Sequence, residues 1–119
     1  MTLPNLGPKA IAAYNRFAKE LAAFNAMLIK SKKPEPVRDE TLLALNGMII
    51  IANRLFRRHA DLPRFIQVSI DSPMSQADLA VLVAQLTAAC LAFEERYAHL
   101  TAAGRAREAE RRKLEQLRD

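Results

Sequence analysis

The chain has no tryptophan, only three glycines and a single cysteine among its 119 residues. With Cys90 alone, no internal disulfide can form, so the fold does not require an oxidising compartment. At helical spacing Cys90 falls between Leu86 and Phe93, which makes it a small core residue rather than a reactive thiol. The glycines stand apart at 7, 47 and 104, which leaves no glycine-rich loop to cradle a phosphate. The histidines are His59 and His99, and no CxxC, HxxxH or HExxH spacing occurs. Glu95 and His99 could share one helical face, but structural zinc normally takes four protein ligands. No metal and no cofactor is therefore expected. Nothing in the spacing of the acidic residues supports a carboxylate dyad. The opening "MTLPNLGPKA" has neither the basic start nor the apolar centre of a signal peptide. The longest apolar run, Leu42 to Ala52, contains Asn46 and Gly47 and falls well short of the ~20 residues that span a bilayer. A soluble, cytoplasmic protein with no membrane span is the expectation.

The composition is 50% hydrophobic and 26% charged, which is that of a globular chain, and the length suggests one domain. Alanine and leucine dominate, and long stretches carry neither glycine nor proline, which favours helix. The net charge is +5 and the sequence pI about 9.8, a balance that suits acidic partners.

Periodicity predicts an all-α fold: a small three-helix bundle with a long C-terminal helix and a short extended strap before it. The first helix spans about Pro8 to Lys30, with Ala10, Tyr14, Phe17, Leu21, Phe24 and Leu28 on one face. Lys9, Arg16, Lys19 and Glu20 fall off that face and can stay in water. "KSKKPEPVRD" is a linker, since Pro34 and Pro36 oppose helix. The second helix runs from Asp39 or Glu40 to about His59 on a seam of Leu42, Leu45, Ile49, Ala52 and Phe56. It is apolar off the seam too, and a helix apolar on most sides is usually covered on most sides. Gly47 costs this helix roughly 1 kcal/mol against alanine, and close approach by a neighbouring helix would offset that cost. In "RFIQVSIDSP", Ile66, Val68 and Ile70 alternate with Gln67 and Ser69, the pattern of an extended segment with period two. Ser75, with Asp78 three residues on, makes an N-cap for the third helix. Its seam is Leu79, Leu82, Leu86, Ala89, Phe93, Tyr97 and Leu100. From Gly104 onward the sequence turns into charged helix, so residues 1–103 form the bundle and 104–119 a tail that projects, breaks at Gly104 or pairs with another molecule.

The functional reading centres on "NRLFRRH", residues 53–59. Arg57, Arg58 and His59 suit a helix C-terminus, where positive charge complements the dipole. With Arg54 and Arg64 they also make one basic patch. Arg105, Arg107, Arg111, Arg112 and Lys113 make a second patch in the tail. Both can meet phosphate or an acidic partner. Arg54 and His59 form an R-x4-H pattern, which resembles the ribonuclease signature of HEPN domains. That resemblance implies a histidine moving a proton, an arginine holding phosphate, and two motifs facing each other across a dimer. The residues themselves point first to a non-enzymatic helical interaction protein, an adaptor, assembly subunit or regulator, acting as a homo-oligomer or docked on a protein partner. A basic subunit that grips nucleic-acid backbone is the alternative, and a HEPN-like ribonuclease the minor one.

Overall fold

The computed structural model describes residues 4–30 and 36–118. Among them the regular structure is helical: α1 (Pro8–Lys30), α2 (Asp39–Leu55), α3 (Gln76–Arg96) and α4 (Ala102–Arg118). Residues 31–35 of the first linker, with Lys32, Lys33 and Pro34, lie outside the described residues.

The α1 seam folds as its spacing dictates, with Tyr14, Phe17, Leu21 and Phe24 buried. From α2 the core takes Leu42, Leu45, Met48, Ile49 and Ala52, and from α3 Leu79, Val83, Leu86, Ala89, Cys90 and Phe93. Full burial of a Leu, Ile or Phe side chain contributes ~1.5–3 kcal/mol. Phe93 is the hub of the core. Its ring centroid lies 5.0 Å from Tyr14, 5.4 Å from Phe56, 5.5 Å from His59 and 5.0 Å from Tyr97. α3 is also long and apolar enough to cross a membrane by length and composition. Here it is a core helix on one side only, since Ala77, Ala80, Val81, Ala84, Ala88 and Leu91 are exposed along the other.

α2 ends at Leu55, four residues before the expected His59. Beyond it the chain tightens into i→i+3 bonds, with His59 N–H donating to Phe56 O at 2.9 Å and Leu62 N–H to His59 O at 3.1 Å. Residues three apart eclipse in such turns. Phe56, His59 and Leu62 accordingly all enter the core, at 3, 6 and 8% exposure. An α-helix continued through this stretch would have swung them progressively off that face. Arg57 and Arg58 therefore sit in a turn just past the helix and not in its last turn.

The expected single third helix is two. Tyr97 ends α3, its N–H turning back to Glu94 O, and the Leu100 and Thr101 N–H groups both bond to Tyr97 O. Thr101 then caps α4, its Oγ1 accepting from Gly104 N–H at 3.1 Å, while Asn15 Oδ1 on α1 accepts from Ala102 N–H at 3.0 Å. In a straight helix Glu94 and Arg107 would be ~20 Å apart along the axis. Here they form an ion pair, so α4 turns back toward α3. The break thus precedes Gly104, which sits buried in the first turn of α4. A Cβ there would lie 2.5 Å from both Cα and O of Ala98, so glycine is what lets turn and helix touch.

Gly47 corrects a second expectation. Among the described residues no neighbouring helix approaches it, and a Cβ there would meet nothing within 4 Å.

Residues 63–70 run along α2 without regular structure, and two asparagines hold them. Asn53 accepts from Phe65 N–H at 2.9 Å and donates to Phe65 O at 2.8 Å. Asn46 does the same for Val68, at 2.8 and 2.9 Å. A carboxamide offers one acceptor and a donor pair, so it can stand in for a neighbouring strand. Seven helical residues rise ~10.5 Å. Three extended residues cover ~10 Å, so the two brackets are in register. The burial period is consequently three and not the expected two: Phe65 is buried and Val68 half-buried, whereas Ile66 is 87% exposed.

Candidate functional site

The fold divides the basic residues singled out by the sequence. Arg54, Arg57 and Arg58 line a groove of about 1010 Å³ between α1 and α2, and His59 closes its end. Arg64 is exposed outside that groove. On α4, Arg105, Arg111, Arg112 and Lys113 are exposed, whereas Arg107 is committed to Glu94. The two expected basic patches therefore remain on different elements.

Antiparallel packing builds the groove. Tyr97 hydrogen-bonds both Pro4 O and His59, which fixes the start of the described chain beside the end of α2. Lys9 and Arg16, seven residues apart on α1, thereby line the same groove as Arg54 of α2 and Arg57 and Arg58 of the turn after it. Linear pattern did not assign these two a role, because their partners lie some 40 residues away; their one signal was a shared position off the apolar seam. Ala10, Ala13, Phe17, Ala44, Gly47, Met48 and Ile51 contribute to the apolar lining. Among the described residues Arg16 pairs with Glu20 at 3.3 Å, but Lys9, Arg54, Arg57 and Arg58 have no carboxylate partner.

His59 is held on both nitrogens. The Tyr97 hydroxyl donates to Pro4 O at 2.7 Å, so it accepts from Nε2–H of His59 at 3.1 Å. Nδ1 then carries the lone pair that receives Arg96 Nη1 at 2.7 Å. Arg96 in turn forks onto the Asp61 carboxylate. This circuit fixes the neutral Nε2–H tautomer. Burial, and next the Arg96 charge, push the His59 pKa below its usual value, while Asp61 opposes them. The Arg96 hydrogen bond holds Asp61 below the usual carboxylate range. As placed, His59 presents neither nitrogen to a substrate phosphate, and Arg54 is exposed on the groove wall.

A second polar cluster escaped the sequence reading. Glu94 is 4% exposed. Its Oε2 accepts from the Tyr14 hydroxyl at 2.6 Å, and its Oε1 pairs with Arg107 without an aligned hydrogen bond. The available signal was its position four residues after Cys90 and eight after Leu86, on the buried face. Burial and the Glu94 carboxylate drive the Tyr14 pKa far above its usual value. Burial, then Glu94, pushes the Cys90 thiol up to about 12. These shifts make both groups poorer nucleophiles and bases at neutral pH, and the cluster reads as an anchor for α4. Among the described residues no group of three or more His, Cys, Asp or Glu side chains could hold a metal ion. Comparison with protein-family models, with curated proteins and with solved structures finds no match to this chain.

Proposed function

We propose that the protein is a non-enzymatic helical interaction module, an adaptor, assembly subunit or regulator, that docks a protein partner in the groove between α1 and α2. The groove itself carries this reading: an apolar floor open to solvent, with four cations at its edge that have no carboxylate partner among the described residues. Helix-in-groove docking uses such surfaces. Self-association is the second reading, favoured by the exposed, uncharged strip of α3 that includes Ala80, Ala84, Ala88 and Leu91. Nucleic-acid binding draws on the α4 arginines, but Glu108, Glu110 and Glu115 interleave with them and weaken their field.

Photocrosslinking side chains at positions 47, 84 and 109 separate these readings in cells. Docking predicts a discrete protein adduct from position 47, identified by mass spectrometry and absent from position 109. Self-association predicts a dimer-sized adduct from position 84. An adduct from 109 alone that disappears on nuclease treatment supports nucleic acid instead. No adduct from 47 above the 109 control refutes docking in the groove.

A further inference from the structure

We infer that the occupant of the α1–α2 groove is an acidic amphipathic helix, with its acidic residues gathered toward one end. This rests on the docking reading above and adds the chemistry of the partner.

Charge is the first argument. Lys9, Arg16, Arg54, Arg57 and Arg58 set five cations against one lining carboxylate, Glu20. They are not spread evenly. The chain start lies beside the end of α2, so Lys9 and Arg16 occupy the first half of the α1 wall and Arg54, Arg57 and Arg58 stand at and just past the end of α2, while Phe24 and Ala44 lie toward the other end. An occupant must therefore be anionic at one end and apolar along its buried side. The same charges argue against a second copy inserting its own α4. That helix carries Arg105, Arg107, Arg111, Arg112, Lys113 and Arg118 against Glu108, Glu110 and Glu115, a surplus of positive charge facing positive charge.

Shape is the second argument. From Lys9 to Phe24 the α1 wall is ~22 Å long, or about four helical turns. Two antiparallel helices flank the space, and Ala13, Ala44 and Gly47 keep the floor low. Helix axes pack ~8–10 Å apart when the contacting side chains allow it. Among the described residues nothing lies within 4 Å of where a Gly47 Cβ would stand, so they leave the room there unused. A third helix laid in this trough would bring large apolar side chains onto the floor and acidic flanks to both walls. A nucleic-acid backbone would leave the floor wet.

The test uses the full chain and a designed peptide of about 16 residues. It has leucine at helical i, i+3, i+4 and i+7 spacing, and glutamates flanking the stripe in its first half. A control carries lysine in place of each glutamate. Fluorescence anisotropy is expected to show binding of the acidic peptide only, weakening as salt rises. Arg54→Glu with Arg58→Glu should weaken it by about tenfold or more. Gly47→Leu, which fills the floor from an exposed helical position, should weaken it similarly at all salt concentrations. Circular dichroism establishes that each variant is folded. Equal binding of both peptides, or unchanged affinity in both folded variants, overturns the inference. So does preferential, Gly47→Leu-sensitive binding to phosphatidylserine vesicles with no peptide binding, which assigns the groove to lipid. A protein adduct from position 47 without acidic-peptide binding overturns the acidic class and leaves docking standing. Absence of that adduct removes docking itself.

Discussion

Two glycines on two helices should respond to alanine with opposite signs. Gly47 lies inside α2, is exposed, and has open space where a Cβ would go. Gly47→Ala therefore adds helix propensity at no steric cost, a gain of ~0.8–1 kcal/mol. Gly104 lies in the first turn of α4, where a Cβ would stand 2.5 Å from Ala98 Cα, 2.5 Å from Ala98 O and 2.6 Å from Thr101 Oγ1. Two of those three atoms are backbone and cannot rotate aside. The third is the N-cap oxygen, so moving it gives up the bond to Gly104 N–H. Overpacking of this kind costs ~1–3 kcal/mol, and loss of the cap adds ~1 kcal/mol. The propensity gain offsets only part of that, which leaves Gly104→Ala destabilised by ~1–3 kcal/mol.

Thermal unfolding followed by circular dichroism at 222 nm reads both variants. A chain of this length unfolds with an entropy near ~250 cal/mol/K, so 1 kcal/mol moves Tm by ~4 °C. Gly47→Ala is expected to raise Tm by ~3–4 °C and Gly104→Ala to lower it by ~4–12 °C. A Gly104→Ala variant as stable as the parent would show that the 97–101 turn does not press on α4. A destabilised Gly47→Ala would show that something already occupies the space beside α2.

The brackets on the strap predict that Asn46→Ala and Asn53→Ala each cost ~1–3 kcal/mol, because each strands a backbone N–H and C=O that are partly buried. Amide exchange should then accelerate at Val68 and Phe65 respectively, and unchanged protection at both would refute the brackets. The circuit at His59 predicts a pH dependence. Its folded pKa lies below the unfolded value of ~6.5, so the unfolded chain binds more protons between the two. Stability is full above ~6.5 and falls as pH drops through the folded pKa. Arg96, Asp61 and the Tyr97 hydroxyl face the ring, and His59→Gln should flatten that slope; an unaltered slope would place its origin elsewhere. Cys90, buried with its thiol pushed up to about 12, should resist a thiol-specific disulfide reagent at pH 8 until the chain unfolds. Rapid stoichiometric reaction in the native state would contradict its burial. Arg58→Gln should leave stability unchanged or slightly raised, since Arg58 is exposed with no carboxylate partner among the described residues, and a large loss of Tm would mean that it holds the fold.

Sequence pattern carried the local features well. Four-and-three spacing found the buried face of α1, and Ser75 does cap α3, its Oγ accepting from Asp78 N–H at 3.0 Å. The all-α class followed from the same periodicity. What it misplaced depends on contacts distant in sequence. Tyr97 and Leu100 fit the α3 seam, so nothing in the period marked a turn there; the signal was Thr101 capping from three residues before Gly104. Asn46 and Asn53 showed as a polar strip on α2, but only the return of Phe65 and Val68 gave that strip its work. The basic end of the groove was half legible, with Arg54, Arg57 and Arg58 in one short stretch and Lys9 and Arg16 unassigned.

The local departures from good helix design differ in whether the folded chain compensates them. At the α3–α4 junction every one is compensated: Gly104 admits the Ala98 backbone, Thr101 and Asn15 take up N–H groups of α4, and Arg107 meets the buried Glu94. Along α2, Asn46 and Asn53 are compensated by the strap. At the groove they are not. Gly47 gives up about 1 kcal/mol of helix propensity with no close neighbour among the described residues to gain from it. Lys9, Arg54, Arg57 and Arg58 gather like charge without a carboxylate among the described residues. Folding alone gives no return for this combination, whereas an acidic helix seated on the floor would answer both parts at once. The coincidence of unused space and unpaired charge at one place, more than either feature alone, is what separates this groove from an ordinary dip between two helices.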